Sequence, residues 1–144
     1  MKIYKKRLNE IKQEELYSIF KLRSEVFVVE QRILYIDLDN QDLSSTHYYI
    51  KDDLGVFAYL RVIDFGVHYD NYTSIGRFCV REDKRQQGIG KMLIMEAIKD
   101  LGNKGIKIAS QAYLEDMYRS VGFKTISEPF ILEGILHIEM VYGE

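Results

Sequence analysis

Residues 75–90 constrain the fold more than any other stretch of this chain. Ile75-Gly76-Arg77-Phe78-Cys79-Val80 reads as a short, mostly buried strand, and Ile89, Met92, Leu93, Ala97 and Leu101 recur at helical spacing up to a C-capping Gly102. Between them lies Arg85-Gln86-Gln87-Gly88-Ile89-Gly90. A strand that passes through a glycine-rich turn into a helix leaves several backbone N–H groups unpaired at the positive end of the helix dipole. Phosphates bind there with little further help. Lys84, Arg85 and Lys91 add positive charge around that cradle. A Walker A loop is excluded because Lys91 is followed by Met92 rather than Ser or Thr. A dinucleotide fingerprint is excluded because the turn lies past mid-chain and lacks the third glycine.

With 144 residues the chain is expected to form one domain with a real core. A net charge of −2 argues against nucleic-acid binding. No apolar run approaches the roughly 18 residues of a membrane span. The basic start, Met1-Lys2-Ile3-Tyr4-Lys5-Lys6-Arg7, lacks the apolar stretch of a signal peptide. The single Cys79 cannot form an internal disulfide, in keeping with a cytoplasmic location, and as a strand residue it reads as buried rather than nucleophilic.

Apolar periodicity predicts a first strand over 2–8, a helix over 13–29 and a loop over 32–45 with Asp37, Asp39, Asn40 and Asp42 as turn formers. Strands follow at 46–51 and 56–64, joined by a short connection at 52–55. After a loop at 65–73 come the strand 74–80, the turn, a helix over 88–101 and a strand over 106–110. A short helix over 114–120 ends at Gly122, and two last strands at 123–128 and 136–142 flank a turn containing Glu133-Gly134. This order gives an α/β architecture. Asp37-x-Asp39-x-Gln41-Asp42 has the start of a calcium loop, but it lacks glycine at its sixth position and Tyr48 stands at its twelfth. No histidine, cysteine and carboxylate set has metal spacing. Lys5-Lys6-Arg7 reads as a solvated charge run.

The chain resembles the GNAT-superfamily N-acetyltransferases, and within them the small ElaA-type subgroup. The resemblance rests on Val26-Phe27-Val28-Val29-Glu30-Gln31, the turn at 85–90, Gln111-Ala112, Tyr118-x-x-x-Gly122-Phe123 and His137-Ile138-Glu139-Met140. It implies a mixed, mostly antiparallel sheet of about six to seven strands flanked by helices. It implies acetyl-CoA as cosubstrate, no metal, and direct transfer of acetyl to a primary amine of a small molecule or peptide. The Arg85, Gln86, Gln87, Gly88, Ile89, Gly90 and Lys91 segment would hold the pyrophosphate, chiefly through backbone N–H groups. The pantetheine arm would pair with Phe78, Cys79 and Val80, in a slot opened by a splay from the strand at 106–110. A backbone N–H near Phe78 or Cys79 would face the acetyl carbonyl.

Tyr118 is the implied acid for the leaving thiolate, since a phenol is protonated at neutral pH. Packing is the alternative role in a chain with 11 tyrosines. For the base, Glu30, His137, His47 and a water chain all stay open. Acceptor contacts are expected from 28–48 and 64–73. No nucleic acid or membrane partner is expected, and the chain is expected as a monomer or homodimer. Two other readings remain. The domain could bind acetyl-CoA as a non-catalytic sensor or interaction module, or it could be a nucleotide-phosphate binder of unrelated fold.

Overall fold

The computed structural model describes residues 1–102 and 104–143. Among these residues eight strands form two four-stranded sheets. The first contains β1 (Tyr4–Arg7), β2 (Ser45–Asp52), β3 (Gly55–Ile63) and β4 (Ser74–Val80), in that order. The second contains β5 (Ile106–Gln111), β6 (Lys124–Thr125), β7 (Phe130–Leu132) and β8 (Ile135–Tyr142), with β8 paired to each of the other three. Every pairing of named strands is antiparallel. The sheets meet through a parallel bridge between Thr73 and Ile106. There the Thr73 N–H donates to the Gly105 carbonyl at 3.1 Å and the Lys107 N–H to the Thr73 carbonyl at 2.9 Å. Beyond this bridge no ladder joins β4 to β5 among the described residues, so the two strands splay apart toward their C-terminal ends.

Helices cover both faces, which explains why β3 is buried along nearly its whole length. On one face lies α1 (Gln13–Arg23), continued by a wider helical turn over Ser24–Glu30 that ends with the Gln31 N–H donating to the Val26 carbonyl. Ile19, Leu22, Val26 and Phe27 pack there against Tyr49, Val56, Tyr59 and Cys79. On the other face lie α2 (Ile89–Leu101) and α3 (Glu115–Ser120). Leu93, Ile94 and Ala97 of α2 pack there against Ala58, Leu60, Val62 and Ile75 and against Ile106, Ile108, Ile138 and Met140. The period-two alternation of strands then fixes which residues of the second sheet lie on the side away from α2. In β5 they are Lys107, Ala109 and Gln111, and in β8 His137 and Glu139.

Several expectations need correction. The helix expected over 13–29 is α-helical only to Arg23 and widens thereafter. The strand expected over 123–128 is two residues long, and the separate strand at Phe130–Leu132 begins just after Pro129, which has no N–H to give to a ladder. Lys5-Lys6-Arg7 is not a free charge run. Lys5 pairs with Glu96 (2.5 Å) and Asp100 (2.7 Å), and Arg7 with Asp64 (2.8 Å), which ties the edge strand β1 to its surroundings. No helix among the described residues is long and apolar enough to cross a membrane.

Candidate active site

The splay between β4 and β5 opens a cavity of about 910 Å³ that reaches both faces of the sheet. At one end is the turn before α2. Gly88 caps this helix with φ of 76°, a left-handed conformation that favours glycine. Its carbonyl accepts from the Met92 N–H at 3.0 Å, so the N–H groups of Ile89, Gly90 and Lys91 precede the first intrahelical bond. Gly90 serves a different need. A Cβ there would lie 2.6 Å from Phe78 Cζ and 3.3 Å from Val80 Cγ2, so only glycine lets α2 sit this close to β4. The result is a dipole end and three amide donors beside the strand edge that lines the cavity.

A bulge interrupts β4 at the same place. Tyr59 pairs with Cys79 and Arg61 with Gly76, which leaves Arg77 and Phe78 both opposite Leu60. Arg77 has φ of 52°, an uncommon conformation for a side chain with a Cβ. Its guanidinium is held by Asp37, with Nε 2.8 Å from Oδ1 and Nη2 donating to the carbonyl at 2.9 Å.

Asp37 belongs to a lattice of three arginines and three aspartates that fixes the loop expected over 32–45. Fully buried Arg23 bonds Asp37 at 2.8 Å and Asp42 at 2.8 Å. Arg61, in the middle of β3, bonds Asp39 at 2.6 Å and the same Asp42 oxygen at 2.8 Å. Desolvation disfavours the ionised Asp42, but the hydrogen bonds and charges of Arg23 and Arg61 outweigh it and hold its carboxyl below the usual range. His47 is drawn into the same lattice. Its Nδ1 accepts from the Tyr59 hydroxyl at 2.6 Å and its Nε2–H donates to the Asp42 carbonyl at 3.0 Å. Burial lowers its pKa, and it does not line the cavity. The aspartates read as turn formers are thus cross-links. The signal for them was Arg61, a charge set between Leu60 and Val62 in an apolar strand.

The other expected site residues converge on the cavity. Phe78, Cys79, Val80, Arg85, Gln86, Gly88, Ile89, Gly90, Lys91, Glu30, Tyr118 and His137 all line it. Gln87 does not, and its side chain turns back to the Asp83 carbonyl at 3.3 Å. Cys79 is buried, and desolvation pushes its thiol up, away from the reactive thiolate. Glu30 and Arg85 form a two-pronged ion pair at 2.8 and 3.1 Å, while Arg85 Nε–H donates to the Val80 carbonyl at 2.8 Å. This pair ties the end of the first helix to the glycine turn before α2. Farther in, the Gln31 and Gln111 side-chain amides exchange hydrogen bonds at 2.8 and 3.2 Å across the cleft. His137 lies opposite Gln111 in the β5–β8 register, and its Nδ1–H donates to the Ile135 carbonyl at 2.8 Å. Nε2 then has no partner among the described residues. Tyr118 sits edge-on to Phe78 and Phe123, and its hydroxyl has no hydrogen-bond partner among the described residues. Burial pushes its pKa well up, so it stays a phenol across the working pH range.

A glycine-capped helix end with unpaired amides, beside a bulged, splayed strand pair, defines a class. The chain matches the family described as the Acetyltransferase (GNAT) domain over residues 34–143, and it belongs to that family. Within it, the chain is similar to ElaA of Escherichia coli, with 32% identity over 139 residues, 92% of this chain and 90% of ElaA. The crystal structure of ElaA superposes with a TM-score of 0.89 and covers 99% of each chain. The crystal structure of an acyl-CoA N-acyltransferase from Pseudomonas aeruginosa gives a TM-score of 0.90 at 30% identity, again over 99% of each chain. A UPF0039 protein of Schizosaccharomyces pombe is 36% identical over 141 residues, 94% of this chain and 92% of the relative.

Proposed function

We propose that the protein is an acetyl-CoA-dependent N-acetyltransferase that moves acetyl directly to a primary amine. One observation carries this reading. A single cavity joins the glycine-capped end of α2, on one face of the sheet, to the polar groups of Gln31, Gln111 and His137 on the other. Donor and acceptor can therefore approach the same point from opposite sides. Acetyl-CoA would supply the activated thioester. The N–H groups of Ile89, Gly90 and Lys91 hold its diphosphate, with Lys91 and the helix dipole adding charge. The bulge at Arg77 and Phe78 breaks the β4 ladder, and an N–H of this segment serves as donor to the carbonyl oxygen where charge develops.

Tyr118 donates a hydrogen bond to the departing sulfur. Its raised pKa means that it stabilises the thiolate as a donor and does not itself remain ionised. Proton removal from the amine falls to His137 Nε2, to Glu30 once Arg85 lets it go, or to water. Of these, His137 has the free atom in the resting geometry. No side chain is placed as an activated nucleophile, so transfer needs no acetylated enzyme.

The test is release of free thiol from acetyl-CoA in the presence of a panel of primary amines, alongside calorimetric titration with CoA. Amine-dependent thiol release supports the reading. Tight CoA binding with no release from any amine would instead support a sensor.

A further inference from the structure

The cavity is electrically polarised. Four carboxylates line it, and among the described residues three are matched by arginine: Glu30 by Arg85 at 2.8 Å, Asp37 by Arg23 and Arg77 at 2.8 Å, and Asp39 by Arg61 at 2.6 Å. Glu133 has no cationic partner among the described residues. Lys91, at the phosphate turn, is the lining cation with no carboxylate partner among them. Fixed charge of opposite sign is thus left unmatched among the described residues on two elements lining one cavity, the β7–β8 turn and the first turn of α2.

Glu133 is also an unusual residue for its place in the hairpin. It and Gly134 form the two-residue turn between β7 and β8, with φ of 53° and 77°. Such a turn favours Asn or Asp before the glycine, and a Glu there is strained.

Resting on the amine-transfer reading, we infer that Glu133 is a specificity-determining residue that docks a second positive charge of the acceptor. The acceptor class is then an amine with a remote cationic group, such as an alkyl diamine. The reacting nitrogen must be uncharged to attack, and it approaches between Gln111 and His137. Glu133 lies four residues before His137, on the order of 10 Å out along the hairpin. The charge it attracts is therefore a distant one, carried on a spacer that can lie against Leu132 and Ile36 at the cavity wall.

The experiment compares 1,6-diaminohexane with hexylamine, probes of matched length that differ in the remote charge. Initial rates of thiol release are measured at pH 8, where the remote amine is mostly charged. Wild type should favour the diamine about tenfold or more in kcat/KM, mainly through KM, and the preference should shrink as salt rises. In Glu133→Gln the diamine KM should rise to the hexylamine level with kcat within about twofold. Glu133→Asn should lose the preference equally while unfolding at the same or a higher temperature, because Asn suits this turn; that separates lost docking from lost folding. A diamine preference that survives both variants, or is absent from wild type, overturns the inference and leaves amine transfer standing. Thiol release from neither probe, nor from any amine of the wider panel, while CoA still binds, overturns amine transfer and the inference together.

Discussion

Substituting alanine separately at Gly88 and Gly90 distinguishes two reasons for glycine in one turn. At Gly88 a Cβ meets nothing within 4 Å, but φ is +76°. The Gly88→Ala change therefore acts through backbone strain alone, worth about 1–2 kcal/mol. At Gly90 φ is helical, and alanine is intrinsically better in a helix by about 0.5–1 kcal/mol. Its Cβ, however, would stand 2.6 Å from Phe78 Cζ and 3.1 Å from Cε1. The Phe78 ring must swing away, and overpacking of this kind costs about 1–3 kcal/mol. The net cost is then from about zero to about 2.5 kcal/mol, so Gly90→Ala should unfold at wild-type temperature or up to about 10 °C below it. The ring already lines the cavity, so its displacement should intrude there. CoA affinity should then fall about tenfold or more, a loss of about 1.4 kcal/mol. Calorimetric CoA titration and thermal unfolding read both quantities. Gly88→Ala should lower stability by a similar amount but leave CoA affinity within about threefold, so affinity is the readout that separates the two. Unchanged CoA affinity in Gly90→Ala would refute the argument that this glycine keeps Phe78 out of the slot. A Gly90→Ala/Phe78→Leu double variant should recover part of the lost affinity.

Other expectations follow from the same geometry. Tyr118→Phe keeps the packing against Phe78 and Phe123 but removes the donor, so kcat should fall about tenfold to a hundredfold with CoA affinity within about twofold. Equal turnover would leave Tyr118 a packing residue. Asp42→Asn leaves Arg23 and Arg61 without a carboxylate they share and should destabilise the fold by about 3–5 kcal/mol, seen as a lower urea midpoint. Because the Asp42 carboxyl is held below its ordinary value, its contribution is fully present above about pH 4 and is lost as pH falls through the lowered value. A urea midpoint followed from pH 7 to pH 2.5 should drop steeply in wild type and less steeply in Asp42→Asn; equal slopes would mean that Asp42 is not part of the acid transition.

What the sequence made legible was local. β4 runs over Ser74–Val80 as its apolar run predicts, and α2 starts one residue inside the expected boundary because Gly88 caps it. The turn itself could be recognised because its chemistry lies within six consecutive residues. The arginine–aspartate lattice could not be read this way. Arg23 reaches Asp42 across 19 positions and Arg77 reaches Asp37 across 40, so no window of the chain contains the pairs. Turn-forming aspartates and lattice aspartates look alike until the arginines arrive. The splay was equally hidden. It depends on the sheets being bridged at Thr73 and Ile106 with no further ladder between β4 and β5 among the described residues, and on the bulge opposite Leu60, both properties of register. From the sequence Glu133 is legible only as part of a turn, since its lack of an arginine partner among the described residues is a fact of three dimensions.

The central claim is that backbone amides at the start of α2 hold the diphosphate of CoA. Following amide resonances during a CoA titration tests it at the atoms concerned. The largest shifts should fall on Gly88, Ile89, Gly90 and Lys91, and they should disappear in Gly88→Glu, which puts a negative side chain into the cradle. Saturable CoA binding that leaves these four amides unmoved would contradict the account.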